Sequence, residues 1–450
     1  MRSSEQILET LQEFLRIPSV STDPGHTQDV RRAAEFVRSH LTGSGMANIR
    51  LIEAEGRHPL VYGEWLGATG KPTLLLYGHY DVQPPDPLDE WTTPPFEPSI
   101  RNENIYARGA CDDKGQTLIL LEAVRRLMDR DGRLPVNVRI LIEGEEEVGG
   151  EHITALVESK PDFLRADAAV ICDTEMFAPN MPTLCVGLRG IVYGELNVTG
   201  ADHDLHSGVY GGAAPNPIQA IAEILTALKD RDGNILIPGF HDRILPPTAA
   251  ELEAWHSLPF DEKEYLAKEV GASELTGEPG FSVLERTWAR PTIEVHGIRG
   301  GFTGEGAKTV IPARAVAKLS MRLVANQDPA ECTRLLQQAI AAACPRGVGA
   351  EFKAIHSGAP SLVNTDNAFI EVSAAAMSQV FGRKTVYIRS GGSIPITGLF
   401  DLHLGIPSVM MGFGLPDDNL HAPNEKFHLP NLYRGIDAMV RYFEMLGGNG

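Results

Sequence analysis

Five short segments of this sequence combine residue types that do chemistry. Tyr77-Gly78-His79-Tyr80-Asp81 sets an imidazole at the end of an apolar run, with a carboxylate two positions on that can hydrogen-bond the second ring nitrogen and fix its tautomer. Arg108-Gly109-Ala110-Cys111-Asp112-Asp113-Lys114-Gly115 sets a Gly-flanked acid pair before a helical pattern. Helix capping accounts for one acid there, but not for a pair followed by Lys. Glu143-Gly144-Glu145-Glu146-Glu147-Val148-Gly149-Gly150 puts four carboxylates after an apolar run, where repulsion is costly unless a cation compensates or one acid stays protonated. Cys172-Asp173-Thr174-Glu175 and His421-Ala422-Pro423-Asn424-Glu425 follow further apolar runs. Singly, each has a plain reading: a lone His is more often structural, and an acidic run is usually a solvated face. Jointly, His, Asp, Glu, Asp and His at successive strand ends form a nitrogen and oxygen donor set of the kind zinc, manganese or cobalt accepts, with no thiolate needed. A structural zinc site fits poorly, because such sites gather four close ligands, often cysteines.

The elements that must carry these residues are legible from periodicity. Ile7, Leu8, Leu11, Phe14 and Leu15 share one helical face, and Val30, Ala33, Ala34, Val37 and Leu41 share another, so the chain opens with two amphipathic helices. Apolar runs at 74–77, 136–142 and 168–172 read as strands, separated by helical patterns at 117–128 and 153–163. That alternation predicts an α/β sheet, whose strand carboxyl ends are where ligands bind. From 187 the texture changes to alternating strands at 191–198, 292–295 and 316–323 with helices at 217–228 and 329–343, an α+β layer. The α/β texture returns at 359, with a helix at 369–380, strands at 385–388 and 408–411, and a closing helix at 432–446. The expectation is therefore an α/β domain of residues 1–186 and 359–450 interrupted by an inserted domain of 187–358, with 234–290 as irregular structure and short helices.

Composition narrows the class. The 450 residues are 43% hydrophobic and 22% charged, the balance of a globular protein. A formal charge of -19 argues against nucleic acid as a partner, since displacing counterions from phosphates needs the opposite sign. Five dispersed cysteines suit a reducing cytoplasm, and neither a signal peptide nor a membrane span is visible, so the expected setting is cytoplasmic with no membrane partner.

Taken in order, the GHYDV, ARGACDDKG, EGEEEVGG, CDTE and HAPNEK segments resemble the M20 family of co-catalytic metallopeptidases. The likeness continues through Gly187-Leu188-Arg189-Gly190, Asp204 to Gly212, Gly306 to Pro312 and Gly391-Gly392-Ser393-Ile394-Pro395, which are most similar to the cytosolic nonspecific dipeptidases and carnosinases of that family. The resemblance implies a catalytic α/β domain with a central mixed sheet of zinc-peptidase type, interrupted by an α+β lid through which subunits form a homodimer. It implies two divalent cations per subunit, zinc first and manganese or cobalt as alternatives. His79 and Asp173 would hold one, Glu147 and His421 the other, and Asp112 would bridge them. Glu146 would be the general base, Asp81 would orient His79, and His206 would stabilise the oxyanion, reaching in from the lid of the partner subunit. The family's Glu pair precedes a small residue or Ser and then Gly, which places it at Glu146 and Glu147 although Val148 departs from the usual residue.

The expected substrate is a small peptide. In this family the ligand at position 173 tends to be Asp in dipeptidases and aminopeptidases and Glu in acylases and carboxypeptidases, so Asp173 points to dipeptide hydrolysis. Arg322 matches a position that binds the substrate carboxylate, with Thr309 and Ser393 as lesser contacts, although a strand also needs outward polar residues. Two rival readings stand beside this one. An N-acyl amino acid amidohydrolase would use the same scaffold, and a non-catalytic metal-dependent binding protein would keep the ligands without needing Glu146 or Asp81.

Overall fold

Continuous apolar runs become strands buried on both faces, as a parallel sheet covered by helices requires. The computed structural model describes residues 2–448. In it Thr73–His79 lies parallel to Asn137–Glu143 on one side and to Ala168–Ile171 on the other, and Ser408–Met410 extends the parallel set. Antiparallel strands flank it, Leu60–Trp65 and Ala47–Ile52 beyond Asn137–Glu143 and Thr183–Leu188 beyond Ser408–Met410, so the sheet is mixed. Four strands run the same way, so their carboxyl ends share one edge of the sheet. The edge strand Ala47–Ile52 leaves little trace in the sequence, because it is largely exposed and its register slips between Ala47 and Arg50.

The opening helices are Ser4–Leu15 and Thr27–Gly43. The first begins on a capping box in which Ser3 Oγ accepts from Gln6 N while Gln6 Oε1 accepts from Ser3 N. Helix Lys114–Asp131 starts immediately after the Asp112-Asp113 pair and ends at Gly132, whose φ of 65° is the left-handed conformation a helix stop favours. Its first turn reaches the strand beside His79 only because residue 78 is glycine: a Cβ there would stand 2.2 Å from Thr117 Oγ1 and 2.9 Å from Asp113 Oδ2. Helices Ala368–Phe381 and Leu429–Leu446 complete the core of this unit, which comprises residues up to Val186, Val363–Ile388 and those from Leu399 onward.

The second unit comprises Gly187–Leu362 and Arg389–Gly398. Its antiparallel sheet has the order Thr292–Gly300, Arg314–Leu323, Gly190–Thr199, Gly349–Gly358. Gly190–Thr199 alternates buried and half-buried residues, and helices Pro217–Leu228 and Pro329–Ala343 pack their apolar faces on the buried side. Between 234 and 290 the chain forms only short helices, Ala249–His256, Glu262–Tyr265 and Val283–Trp288 among them. Periodicity placed 389–398 with the first unit and ended the second at 358, and the structure differs. Arg389 bonds Glu251 at 2.9 Å, and the Ser393 hydroxyl donates to the Arg189 carbonyl at 2.5 Å, polar contacts that hydrophobic spacing does not reveal. No helix among the described residues is long and apolar enough to cross a membrane.

Candidate metal centre and active site

His79 ends its strand and is fully buried. Its Nδ1 lies 3.1 Å from the Asp81 carbonyl oxygen and 3.3 Å from Asp81 Oδ1, which puts a ring proton on Nδ1 and turns Nε2 toward the acids of the site. The shorter contact is to the backbone, where the spacing suggested the carboxylate alone. Asp81 Oδ2 accepts from Glu147 N at 3.2 Å, so Asp81 braces both the imidazole and the glutamate loop.

Asp112 presents one oxygen to each of two imidazoles. Oδ1 is 3.1 Å from His79 Nε2, and Oδ2 is 2.9 Å from His421 Nε2. Asp173 Oδ2 stands 4.0 Å from His79 Nε2, and Glu147 Oε2 stands 3.5 Å from His421 Nε2. Two trios result, His79 with Asp112 and Asp173, and Asp112 with Glu147 and His421, each holding its ligand atoms within 4.8 Å of one another. Asp112 belongs to both.

The acidic run divides its labour. Glu143 is buried and accepts from the Tyr77 hydroxyl at 2.7 Å, and burial pushes its carboxyl up to about 8. Glu145 accepts from His58 N at 2.8 Å and from His152 N at 3.1 Å, serving the backbone. Glu147 joins a trio, and Glu146, beside it on the short helical turn Glu146–Val148, lies within the electrostatic reach of His79 and Asp112. Glu146 belongs to neither trio.

The charges here are crowded. Burial raises Glu146 to about 7 and Glu147 to about 8, and the neighbouring Asp112 adds to both. Burial, with Asp113 and Asp112 beside it, pushes Asp173 well above the carboxylate range. Asp112 is held below its ordinary value, against the effect of burial, by the His421 and His79 imidazoles that face its two oxygens. His421 is raised in return, up to about 9. Acids that hold protons for want of counter-charge are the groups a cation displaces protons from. Among the described residues His79 Nε2 and Glu147 Oε1, one from each trio, are buried without a hydrogen-bond partner. Buried polar atoms ordinarily have one, and coordination would supply it. The donor set therefore fits divalent cations.

Two neighbours carried no assignment from the sequence. Gln83 Nε2 donates to Glu147 Oε2 at 2.7 Å, and no spacing signal marks it. Asp113 accepts from Thr117 Oγ1 at 2.6 Å and from His79 N at 3.2 Å, so the second acid of the pair fixes the first imidazole's backbone instead of capping the helix. Lys114 stays out of the centre: its buried ammonium donates to the Phe14 and Ile17 carbonyls at 3.3 and 2.6 Å, closing the end of the first helix.

In the second unit, Arg322 and Ser393 come together, Arg322 Nη1 donating to Ser393 Oγ at 3.0 Å. Arg322 has no carboxylate partner among the described residues, although burial lowers its pKa. The backbone segments that carry His206 and Thr309 also pair. Leu205–His206 pairs with Val310–Ile311, and Ser207 N donates to the Thr309 carbonyl at 3.0 Å. His206 is exposed, and its Nδ1 accepts from Gly208 N at 3.0 Å, which leaves the proton on Nε2 as an outward donor.

Comparison with known proteins matches this chain to a family along most of its length. The profile of peptidase family M20/M25/M40 matches residues 75–445. The Cys-Gly metallodipeptidase dug1 of Schizosaccharomyces pombe is 32% identical over 99% of this chain and 96% of its own. The Beta-Ala-His dipeptidase of Homo sapiens is 30% identical over 98% of this chain and 90% of its own. Among solved structures, the M20 family metallo-carboxypeptidase Sso-CP2 from Sulfolobus solfataricus superposes with a TM-score of 0.87 at 34% identity, covering 99% of this chain and 100% of that one.

Proposed function

The chain belongs to peptidase family M20/M25/M40, and from that premise we propose that it is a dipeptidase working through a dinuclear centre. His79 and Asp173 would hold one cation, Glu147 and His421 the other, and Asp112, common to both trios, would serve both. The observation that carries this reading is the pair of Asp112 oxygens, each turned to a different imidazole. When bound, two divalent cations would lower the pKa of a water shared between them and polarise the scissile carbonyl, work for which zinc, manganese or cobalt suits this donor set.

The chain's own groups do the rest. Asp81 keeps the His79 proton on Nδ1. Glu146 takes the attacking water's proton and returns it to the leaving amine, a role suited to a carboxylate raised toward neutrality. His206, with its outward Nε2 proton, donates to the oxyanion as the carbonyl becomes tetrahedral. Arg322 forks onto the substrate's terminal carboxylate, with Ser393 and Thr309 as lesser contacts. The working unit is a homodimer in the cytoplasm, each His206 serving the partner subunit's site.

Structural likeness to a metallo-carboxypeptidase supports a second reading, in which the enzyme trims a C-terminal residue whatever precedes it. One panel separates them. The metal-loaded enzyme is assayed on Cys-Gly, β-Ala-His and a plain dipeptide, each beside its N-acetyl form, and on a blocked pentapeptide. A dipeptidase cleaves the free dipeptides alone. Cleavage of the pentapeptide at its last bond would establish the carboxypeptidase, and preferential removal of the acetyl group from the N-acetyl forms would establish an amidohydrolase.

Arg322→Ala is expected to lower kcat/KM for dipeptides by about 10- to 100-fold, mostly through KM, and to leave dipeptide amides nearly unaffected. Equal losses on acid and amide would make Arg322 structural. His206→Ala is expected to depress kcat by on the order of 10²-fold with metal content unchanged. Co-refolding it with Glu146→Ala should recover roughly a quarter of wild-type activity, because about half of randomly paired dimers are mixed and each has one complete site. Mixed dimers, identified by mass, without recovery would mean that His206 acts within its own subunit.

A further inference from the structure

Glu425 lies four residues beyond His421, and its side chain is wholly buried. Oε1 accepts from Cys111 N at 2.9 Å and from Asp112 N at 3.0 Å. Oε2 accepts from Gly109 N at 2.9 Å and from Arg108 Nη1 at 2.8 Å. Four donors thus fill the four lone-pair directions of one carboxylate, and three of them are consecutive or near-consecutive backbone amides of the loop that presents Asp112. Arg108 is itself buried and fixed, donating to the Pro84 carbonyl at 3.2 Å. Backbone bonds join the same two segments, Ala107 N donating to the Glu425 carbonyl at 3.1 Å. Asn424, next door, accepts from Thr92 N at 2.8 Å and donates to the Glu90 carbonyl at 2.8 Å, so the stretch leading back to His421 is also held from its other side.

This geometry has a direction. A side chain that grips the amide of Asp112 sets where that residue's Cα and Cβ stand, and so where its two oxygens point. Gripping from the end of the His421 loop fixes Asp112 relative to the imidazole that one of those oxygens faces. We propose that Glu425 is a positioning residue: its carboxylate clamps the 109–112 backbone so that Asp112 faces His79 and His421 at once, joining the two halves of the metal centre. The proposal rests on the dinuclear reading above and extends it to the group that orients the bridge.

The chemistry of the clamp makes it sensitive to one atom. Glu425→Gln keeps the shape but replaces an acceptor oxygen by an NH₂, which meets either two amide donors or an amide and Arg108, whichever way the amide turns. Glu425→Asp keeps the charge and withdraws it by one methylene. Arg108→Met removes one donor and leaves the three backbone bonds.

The test uses the full-length chain stripped of metal and titrated with Mn²⁺, read by calorimetry and by electron paramagnetic resonance. The resonance reports exchange coupling between two ions through a shared bridge. Wild type is expected to take up two ions and to show the coupled signal. Glu425→Gln is expected to bind at least one ion 10-fold or more weakly and to lose most of the coupled signal, with Glu425→Asp and Arg108→Met between it and wild type. Melting temperatures of the metal-free proteins, taken in parallel, show how far each variant is destabilised, and a merely structural Glu425 would lower them without changing stoichiometry or coupling. A wild-type titration and signal in Glu425→Gln would overturn the proposal. Should that variant not fold, the same result in both Glu425→Asp and Arg108→Met would overturn it. A wild type that binds a single ion would overturn the dinuclear reading instead, and the clamp would then stand or fall on whether Glu425→Gln weakens that one ion.

Discussion

Glu146→Ala is expected to lower kcat by on the order of 10³-fold or more while both cations remain bound. The two jobs proposed for neighbours on the turn Glu146–Val148 are different in kind. Glu147 has an oxygen 3.5 Å from His421 Nε2 and shares a trio with it, whereas Glu146 stands in neither trio and has its carboxyl pushed up to about 7, mainly by burial. Removing a proton carrier leaves the electrostatics of the ions intact, so substrate still binds and KM changes little. Glu147→Ala should behave the other way, losing the ion shared with His421 and, with it, activity. Metal analysis by mass spectrometry on both dialysed variants, set beside kcat, decides the matter. The reversed pattern would mean that ligand and base are interchanged between these neighbours.

Asp112→Ala is expected to lose affinity for both cations, by on the order of 10²-fold or more at each, and to abolish turnover. Every other ligand candidate belongs to one trio, and Asp112 belongs to both. Its removal also leaves His79 and His421 without the carboxylate that faces each, so the imidazoles lose orientation as well as a co-ligand. Asp112→Asn keeps the shape and discards the charge, and should fall between. Calorimetric titration of the metal-free protein reads the result directly. Two ions bound at wild-type affinity in Asp112→Ala would remove the bridge and with it the mechanism built on it.

The residues of both trios were visible as chemistry before any fold was known, because ligand type and position after an apolar run are local properties of the chain. The same is true of the two opening helices and of the four strands that run parallel, whose periodicity is set by their own burial. The edge strand Ala47–Ile52 was not visible, since a largely exposed and bulged strand carries no steady alternation. Nor was the fate of the acid-rich segments. Sequence gives neither Lys114 nor Glu425 a role; in the structure Lys114 closes a helix end and Glu425 grips the Asp112 loop.

By itself, then, the sequence determined the kinds of donor available and the class of sheet that would gather them at one edge, since both follow from short-range pattern and backbone geometry. Only the tertiary structure decided which oxygen of Asp112 faces which imidazole, which of three consecutive glutamates turns into a trio, and that Arg322 meets Ser393. These are contacts between residues far apart in the chain. Their geometry depends on sheet order, on a glycine at 78 that lets a helix approach, and on a buried carboxylate at 425 that must satisfy four donors, none of which any local stretch of sequence specifies.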